Sequence, residues 1–251
     1  MRDGSLQLTV LGCATPYPAL DNPCSGYLVA AGGTRIWMDA GSGTLGSLQR
    51  HVGLDELDAI WISHLHADHC ADLLTAYYGA LYADISLRAP IPLYGPPGIA
   101  DRLAGFLTNG PTRSPIESAF EIIELCDGHA TAVGAVRLTT RAVEHGMPAY
   151  AVRIEAGDRS LAYSGDTTPC DNLTTLAADC DVLLCEADSQ TEDPAHHTPE
   201  QAGDTARSAA ASRLIVTHVG RSLTPSQAAA RAAERFSGPT EYASPGTTYL
   251  I

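Results

Sequence analysis

The sequence predicts an α/β fold in which two β-sheets pack face to face with helices on their outer sides, a four-layered αβ/βα sandwich. Two observations predict this fold. Each half of the chain contains several short apolar runs of strand length, and each half closes with segments of helical periodicity. The strand-like runs are residues 6–11, 27–31, 34–38, 57–63 and 91–98 in the first half, and 119–125, 135–143, 149–155, 159–163 and 213–217 in the second.

The bulk properties favour one compact domain over residues 1–251. The 251-residue chain shows no Pro/Ser linker, low-complexity tract or block of like charge, and its 45% hydrophobic residues are enough for a substantial core. The seven cysteines never form a Cys-x-x-Cys pair, which makes a disulfide scaffold or a cysteine zinc site improbable. A signal peptide and an apolar run of membrane-spanning length are both missing from the sequence, so we expect a cytoplasmic protein without a membrane partner.

The charge balance limits the class of partner. The net charge is −14, and all basic residues are arginines. Proteins that bind long polyanions place many cations against phosphates, so a large nucleic acid is a poor candidate. A small anionic substrate needs only a metal ion and one or two arginines, and it stays open.

The most informative stretch is His64-Leu65-His66-Ala67-Asp68-His69. Neutral imidazole and carboxylate groups are the donors that Zn²⁺ and related ions select. The preceding run, residues 57–63, is apolar and predicts a buried strand, whereas Leu73, Leu74, Tyr77 and Leu81 recur at helical spacing. The sequence therefore predicts metal ligands in a turn between a strand and a helix.

A glycine-rich turn, residues 39–46, follows the strand-like run 34–38. It has the backbone freedom of a phosphate cradle, but no Gly-Lys-Ser/Thr follows, which excludes a nucleotide P-loop. Asp39 at the strand end can instead hydrogen-bond a metal-ligating histidine and orient it. The alternative is an ordinary turn-forming Asp-Ala-Gly.

Three further candidate ligands fall at the ends of strand-like runs, where open α/β architectures place their chemistry. They are His145, Asp166 and His218. The seven residues divide chemically into two sets with a shared carboxylate. We expect His64, His66 and His145 to hold one ion, Asp68, His69 and His218 to hold the other, and Asp166 to bridge them. Two such ions share a water and lower its pKa, which provides the nucleophile for a hydrolase.

These motifs resemble the metallo-β-lactamase fold. The resemblance rests on His-x-His-x-Asp-His at residues 64–69, the later His145, the turn at residues 164–167 and the strand end at His218. It covers essentially the whole chain and implies a dinuclear metal-dependent hydrolase that uses a metal-bridging hydroxide. It leaves the substrate open, because the superfamily includes lactamases, thioesterases, lactonases, nucleases and phosphodiesterases.

A second set of residues resembles the ribonuclease Z-like branch of this fold. The set is Cys185-Glu186-Ala187 followed by His196-His197-Thr198-Pro199. The resemblance implies that Glu186 orients His196 and that His196 donates a proton to the leaving oxygen, with Asp68 also orienting the attacking hydroxide. His197 stays open as the residue that faces the metals or the substrate. The alternative is an exposed His-His pair at a helix start with Thr198 as N-cap.

The chain departs from ribonuclease Z in one respect. That enzyme carries a long basic arm for transfer RNA between the positions that match His145 and Asp166, whereas only twenty residues separate them here. The segments around residues 64–70 and 161–171 look close to bacterial members that cleave cyclic nucleotides, and residues 91–97 resemble a relative that cleaves cyclic ribose phosphates. We therefore expect phosphodiesterase activity on a small phosphodiester, with Arg221 as a phosphate contact.

Two alternatives stay open. A lactone or thioester hydrolase would use Tyr77, Tyr78 and the 109–118 loop to shape an apolar pocket, and a non-catalytic metal-dependent binding protein would use the metals for binding alone. The expected cofactors are two divalent ions, zinc with manganese or iron as alternatives, because histidine and carboxylate suit all three. The apolar stretch 73–87 with its tyrosines suits a homodimer interface or a buried core.

Overall fold

The computed structural model describes residues 5–83 and 87–251. The first half of the chain contains β1 (Gln7–Gly12), β2 (Gly26–Ala31), β3 (Thr34–Ala40), α1 (Thr44–Leu48), β4 (Ala59–Trp61), α2 (Ala67–Cys70), α3 (Asp72–Tyr82), β5 (Ile91–Gly95), α4 (Ile99–Leu107) and β6 (Phe120–Glu124). The second half contains β7 (Ala130–Val133), β8 (Val136–Val143), β9 (Ala149–Ala156), β10 (Arg159–Tyr163), α5 (Asp171–Leu176), β11 (Val182–Ala187), α6 (Pro199–Ser208), β12 (Leu214–Val219), α7 (Pro225–Ala233), β13 (Thr240–Tyr242) and β14 (Thr248–Leu250).

The strands form two seven-stranded mixed sheets. Their orders are β14-β1-β2-β3-β4-β5-β6 and β13-β12-β11-β10-β9-β8-β7. The inner faces meet in one apolar core, to which Tyr27, Trp61, Val152 and Leu184 contribute. Helices cover the outer face of each sheet, so the predicted αβ/βα sandwich is confirmed.

Each sheet also has an outer core of its own. On the first sheet Trp37 and Phe120 pack with Leu73 of α3 and Leu103 of α4. On the second sheet the residues that face the helices are mostly small, and alanines of α6 and α7 are fully buried against them. The sheets are therefore buried on both faces near their centres, which explains the nearly continuous apolar runs seen in the sequence.

The strand before the histidine motif is shorter than predicted. Residues 57–63 were expected to form it, but β4 covers only Ala59–Trp61. After Trp61 the backbone N–H of Ser63 donates to the carboxylate of Asp39 at 2.7 Å instead of to a neighbouring strand. The Ile62 N–H still donates to the Tyr94 carbonyl of β5 at 2.8 Å, so the Asp39 side chain replaces strand hydrogen bonding only from Ser63 onward.

Several strands were not predicted from the sequence. They are β7, β11, β13 and β14. Three of them are only three or four residues long, and a run of that length carries too little periodicity to be recognised. β14 belongs to the second half of the chain but pairs with β1, so the first sheet contains strands from both halves.

The interpretation that residues 109–118 lie near the cleft is wrong. This segment leads into the start of β6, which runs parallel to β5 and, through it, to β4. It therefore lies at the amino edge of these strands, whereas the histidine motif follows the carboxyl end of β4. Tyr77 is 3% exposed and packs in the outer core, so it does not line a cleft either.

The stretch proposed for a homodimer is described only in part, because residues 84–86 lie outside the described residues. Tyr78 and Tyr82 are exposed on α3, with ring centroids 5.8 Å apart. The homodimer stays a prediction. Among residues 5–83 and 87–251, no helix is both long enough and apolar enough to cross a membrane.

Candidate metal centre

The two sheets bring the predicted ligands to one edge of the sandwich. β3 and β4 run parallel in the first sheet, and β10, β11 and β12 run parallel in the second. Residues that follow these strands therefore meet where the carboxyl ends of the strands face each other. The histidine motif follows β4, Asp166 follows β10, and His218 lies within β12 near its end.

The predicted ligands form two adjoining groups in which the candidate donor atoms lie within 4.8 Å of one another. The first group is His64, His66, His145 and Asp166, and the second is Asp68, His69 and His218. The structure thus brings together all seven residues in the division that the sequence predicted. Their role as ligands is tested by the experiments below.

Asp166 lies between the two groups. Its Oδ2 atom is 3.6 Å from Nε2 of His64 and 3.3 Å from Nε2 of both His69 and His218. The same oxygen lies 3.9 Å from Nε2 of His145. One carboxylate oxygen therefore faces imidazoles from both groups, which is the placement that a bridging ligand needs.

Four of the five imidazoles are held at Nδ1, so that Nε2 points into the centre. The Nδ1 partners are Ser63 Oγ for His64 (3.0 Å), Asp39 Oδ2 for His69 (2.7 Å), the Ala195 carbonyl for His145 (2.8 Å) and Ser25 Oγ for His218 (2.8 Å). Such a contact fixes the tautomer and orientation of a metal-ligating histidine. His66 differs, because its Nδ1 faces Nε2 of His64 and of His145 at 3.0 and 3.1 Å.

Asp39 connects several of these residues and is itself fully buried. Its Oδ2 accepts hydrogen bonds from His69 Nδ1, from Ser63 Oγ and from the Tyr163 hydroxyl, at 2.7, 2.8 and 2.8 Å. Its Oδ1 accepts from the Ser63 backbone N–H. Because each of these neighbours is a donor, the carboxylate is held in one orientation.

The glycine turn after Asp39 has a packing reason. A Cβ atom at Gly41 would lie 2.0 Å from the carbonyl oxygen of Asp68, so only glycine allows this backbone to approach the histidine motif. The same Asp68 carbonyl accepts a hydrogen bond from the Ser25 backbone N–H at 3.1 Å. The turn therefore supports the backbone of a candidate ligand.

Three backbone positions at the centre lie in the left-handed region. Asp39 has φ 55°, His218 has φ 47° and Gly165 has φ 58°. A Cβ atom at Gly165 would also lie 2.8 Å from the Tyr150 carbonyl oxygen. Non-glycine residues rarely adopt this conformation, and where they do it is often because a site requires a side chain to be re-aimed.

His196 and Glu186 lie beside both groups. The donor atoms of His196, Asp166 and His218 also fall within 4.8 Å of one another. His196 Nδ1 lies 3.0 Å from Glu186 Oε1, and that carboxylate further accepts from the backbone N–H groups of Thr167 and Asp188 at 2.8 and 3.1 Å. His196 is partly exposed and Glu186 fully buried, so the imidazole lies between the carboxylate and the cleft.

His197 faces away from the centre. It is fully buried, with Nδ1 against the Thr167 carbonyl and Nε2 3.1 Å from Thr205 Oγ1. Burial lowers its pKa to about 4, so the imidazole is neutral. Of the two histidines left open by the sequence, His196 is the one beside the candidate ligands, and His197 fastens the Asp166 turn to α6. The predicted N-cap at Thr198 is present, with its hydroxyl accepting from the Gln201 backbone N–H.

The protonation states suit metal binding. Burial lowers the pKa of His64 well below its ordinary value and also lowers the pKa of His218. Burial raises the pKa of Asp166, but the neighbouring His218 and His69 outweigh this and hold it well below its ordinary value. Neutral imidazole and ionised carboxylate are the forms that bind metal ions. His69 differs, because Asp166 and Asp39 outweigh its burial and raise its pKa.

Two buried atoms at the centre lack a hydrogen-bond partner among the described residues. They are His69 Nε2 and Asp166 Oδ1. Buried polar atoms are normally satisfied, and an ion is one of the usual reasons for an exception. Together with the nitrogen and oxygen donor set, this shows that the residues present fit divalent metal ions.

Arg221, predicted as a phosphate contact, lies three residues after His218. Its guanidinium carbon is 4.2 Å from the centroid of the Tyr17 ring. Sequence reasoning missed Tyr17, and it also missed Ser25 and Tyr163 as partners of His218 and Asp39. Ser63 directly precedes the histidine motif and offered the only local signal; the others reach the site through the tertiary fold.

The family now follows from sequence and structure together. The chain belongs to the beta-lactamase superfamily, whose domain model matches residues 34–219. An uncharacterized protein of Mycobacterium leprae is 34% identical over 257 residues, which cover 98% of this chain and 89% of the relative. A ribonuclease Z of Mycobacterium bovis is 31% identical over 275 residues, covering 94% and 95%.

Solved structures show the same relationship. The metallo-beta-lactamase fold protein YhfI from Bacillus subtilis superposes with a TM-score of 0.87 at 25% identity, over 98% of this chain and 100% of that one. A diphosphatase from the PhnP family has a TM-score of 0.77 at 20% identity, over 98% of each chain, and shows the fold alone. The predicted resemblance to the metallo-β-lactamase fold and its ribonuclease Z-like branch is confirmed, and the chain is a member of a metallo-hydrolase superfamily.

Proposed function

We propose that this protein is a dinuclear-metal phosphodiesterase that acts on a small anionic phosphodiester such as a cyclic nucleotide. The observation that carries the proposal is the Glu186–His196 pair beside the candidate ligand groups. A protonated imidazole in this place is suited to donate a proton to a leaving oxygen. An alkoxide such as a ribose oxygen is a poor leaving group without that proton, whereas the thiolate of a thioester needs it far less.

The ligand assignment continues the division seen in the structure. His64, His66 and His145 would hold one ion, Asp68, His69 and His218 the other, and Asp166 would face both. When bound, two divalent ions of this kind lower the pKa of a water and neutralise phosphate oxygens, with zinc, manganese and iron all compatible with the donors.

The chain's own residues supply the rest of the chemistry. The Asp68 carboxylate, which would also help to hold an ion, is suited to accept a hydrogen bond from the attacking water. His196 holds the proton for the leaving oxygen, and Glu186 keeps the imidazole charged and aimed. Asp39 and Ser25 hold two of the imidazoles in place through Nδ1.

Substrate size is argued from the chain between His145 and Asp166. β9 and β10 fill this interval and are joined by two residues, so the interval holds two strands and a tight turn where ribonuclease Z carries an arm. The net charge of −14 also disfavours a long polyanion. Both observations favour a small phosphodiester over a transfer RNA precursor.

Hydrolysis of a substrate panel by the metal-loaded protein tests the proposal. The panel contains cyclic and linear phosphodiesters, a transfer RNA precursor, a lactone and a thioester. We expect turnover of a small phosphodiester that is lost in Asp68→Ala. Hydrolysis of the lactone or thioester without any phosphodiester would refute the proposal, and unchanged function of Asp68→Ala and His196→Ala in cells would favour a non-catalytic binding protein.

A further inference from the structure

A groove lined in part by His218 lies between the β1–β2 loop and the loop after β12. Its volume is about 210 Å³. We call it the Arg221 groove, and the lining residues that matter here are Thr15, Ala19, Asn22, Val216, His218 and Arg221. His218 is a candidate metal ligand, so the groove adjoins the centre at which a substrate phosphate would bind.

The size and lining of the groove restrict what it can hold. Pockets that enclose a whole drug-sized ligand have volumes of roughly 300 to 1,000 Å³, so this groove has room for a part of a ligand. Ala14, Ala19, Val216 and Val219 give it mainly apolar walls, and among residues 5–83 and 87–251 Arg221 is the one arginine that lines it. A second phosphate would need more donors, whereas a planar apolar ring suits such walls.

The Arg221 guanidinium packs against an aromatic ring. Its guanidinium carbon lies 4.2 Å from the centroid of Tyr17, whose side chain is 53% exposed. A guanidinium plane that stacks on a tyrosine on one side can stack a nucleobase on the other side.

Asn22 supplies a hydrogen-bonding group at the same groove. Its Oδ1 accepts from the Cys13 backbone N–H at 3.0 Å, which leaves the Nδ2 group as a donor for a ligand. A nucleobase carries ring nitrogens and carbonyl oxygens that accept such a bond, so the groove combines a stacking plane with a polar contact.

We propose that the Arg221 groove binds the nucleobase of the substrate, with Arg221 as the stacking residue and Tyr17 as the positioning residue that holds it. This rests on the proposed function, because it assumes a phosphate at the metal centre. It gives Arg221 a different role from the phosphate contact predicted from the sequence. Stacking of one base on such a plane is worth roughly tenfold or more in affinity.

Equilibrium binding to the metal-loaded protein, measured by calorimetry, tests this inference. The probes are adenosine 5′-monophosphate and ribose 5-phosphate, which share the phosphate and sugar and differ in the base. We expect the nucleotide to bind at least about tenfold more tightly. Arg221→Gln and Tyr17→Leu should reduce this ratio to about threefold or less, whereas Tyr17→Phe, which keeps the ring, should preserve it.

Two exposed residues outside the groove provide matched controls. Arg50→Gln and Tyr78→Leu should leave the ratio unchanged. Equal binding of the two probes by the wild type, no binding of the nucleotide, or an equal loss of both probes in Arg221→Gln would overturn the inference. The last result would make Arg221 a phosphate contact.

Failure of the groove and failure of the proposed function are distinguishable. If the wild type prefers the nucleotide but hydrolyses no phosphodiester, the groove is supported and the proposed reaction is wrong. If the wild type hydrolyses phosphodiesters but shows no preference for the nucleotide, the reaction is supported and the groove proposal is wrong.

Discussion

Replacement of His196 is the perturbation whose outcome depends most on the proposed chemistry. Burial lowers the pKa of His196, but the hydrogen bond and charge of Glu186 outweigh it and raise the pKa to about 9. Glu186 therefore favours the protonated, proton-donating form of this imidazole. His196→Asn removes this acid, and general acids contribute roughly 10²- to 10⁴-fold to rates.

The leaving group provides the discriminating assay. For a phosphodiester with a ribose or alkyl leaving oxygen, kcat of His196→Asn should fall by about 10²- to 10⁴-fold. For a p-nitrophenyl phosphodiester, whose leaving group needs no proton, kcat of His196→Asn should fall by less than about tenfold. His51→Asn changes an exposed histidine elsewhere and should behave as the wild type with both esters. An equal loss for both esters would refute the role of His196 as proton donor.

The pH profile gives a second readout of the same residue. The imidazolium donates the proton, so the wild-type rate should fall as pH rises through the pKa of His196. Bound cations oppose the effect of Glu186, so the fall should lie below about 9. A rate that keeps rising with pH above 9 for the alkyl ester would contradict the assignment.

Three further predictions concern metal affinity and stability. Asp39→Asn should weaken metal binding about 10- to 100-fold, because the amide would present an N–H donor to the donors of Ser63 and His69. Competition with a chelator measures this affinity. An unchanged metal affinity would contradict the role of Asp39 in orienting His69 through Nδ1. Gly165→Ala should lower the free energy of unfolding by about 1–3 kcal/mol, because Gly165 has a positive φ and lies close to the Tyr150 carbonyl. The control Gly46→Ala, in α1, should be neutral or stabilising. Equal urea midpoints of unfolding for the two variants would contradict this prediction. His197 should make the metal-free protein less stable in acid, because this histidine takes up a proton below pH 6.5 in the unfolded chain and only near pH 4 in the folded chain. The free energy of unfolding should therefore fall by about 3 kcal/mol as pH falls across that interval. His197→Gln should lose less of its unfolding free energy over the same interval.

The chain's spacing made much of the centre predictable. Ligands that follow parallel strands lie at the carboxyl edge of their sheet, so His64, Asp166 and His218 could be grouped from the sequence. The motif also divided into two sets on chemical grounds. The strands at 136–143 and 159–163 were predictable because apolar residues recur along both of them.

The residues that hold the ligands were much less predictable. Ser25 and His218 are 193 residues apart in the sequence, and Tyr163 and Asp39 are 124 residues apart. No sequence pattern around this serine or this tyrosine predicts such a contact. The left-handed backbone at His218 accompanies a register shift between β11 and β12, which no periodicity reveals. The choice between His196 and His197 likewise required their burial, because the two are adjacent in sequence and lie at the start of one helix.

The 109–118 loop was misplaced for a topological reason. Polar, proline-bearing loops often line clefts. The edge of the sheet at which such a loop lies depends, however, on the direction of the strands that it joins. The parallel arrangement of β4, β5 and β6 puts this loop at the amino edge. The direction of β6 could not be read from its own five residues.

The most direct test of the central claim is metal content measured together with hydrolysis of a cyclic nucleotide on the same purified protein. We expect about two divalent ions per chain, loss of turnover when a chelator removes them, and recovery when zinc, manganese or iron is restored. Asp166→Ala should lose both the ions and the turnover. Cyclic nucleotide hydrolysis that persists in the metal-free protein or in Asp166→Ala would contradict the account.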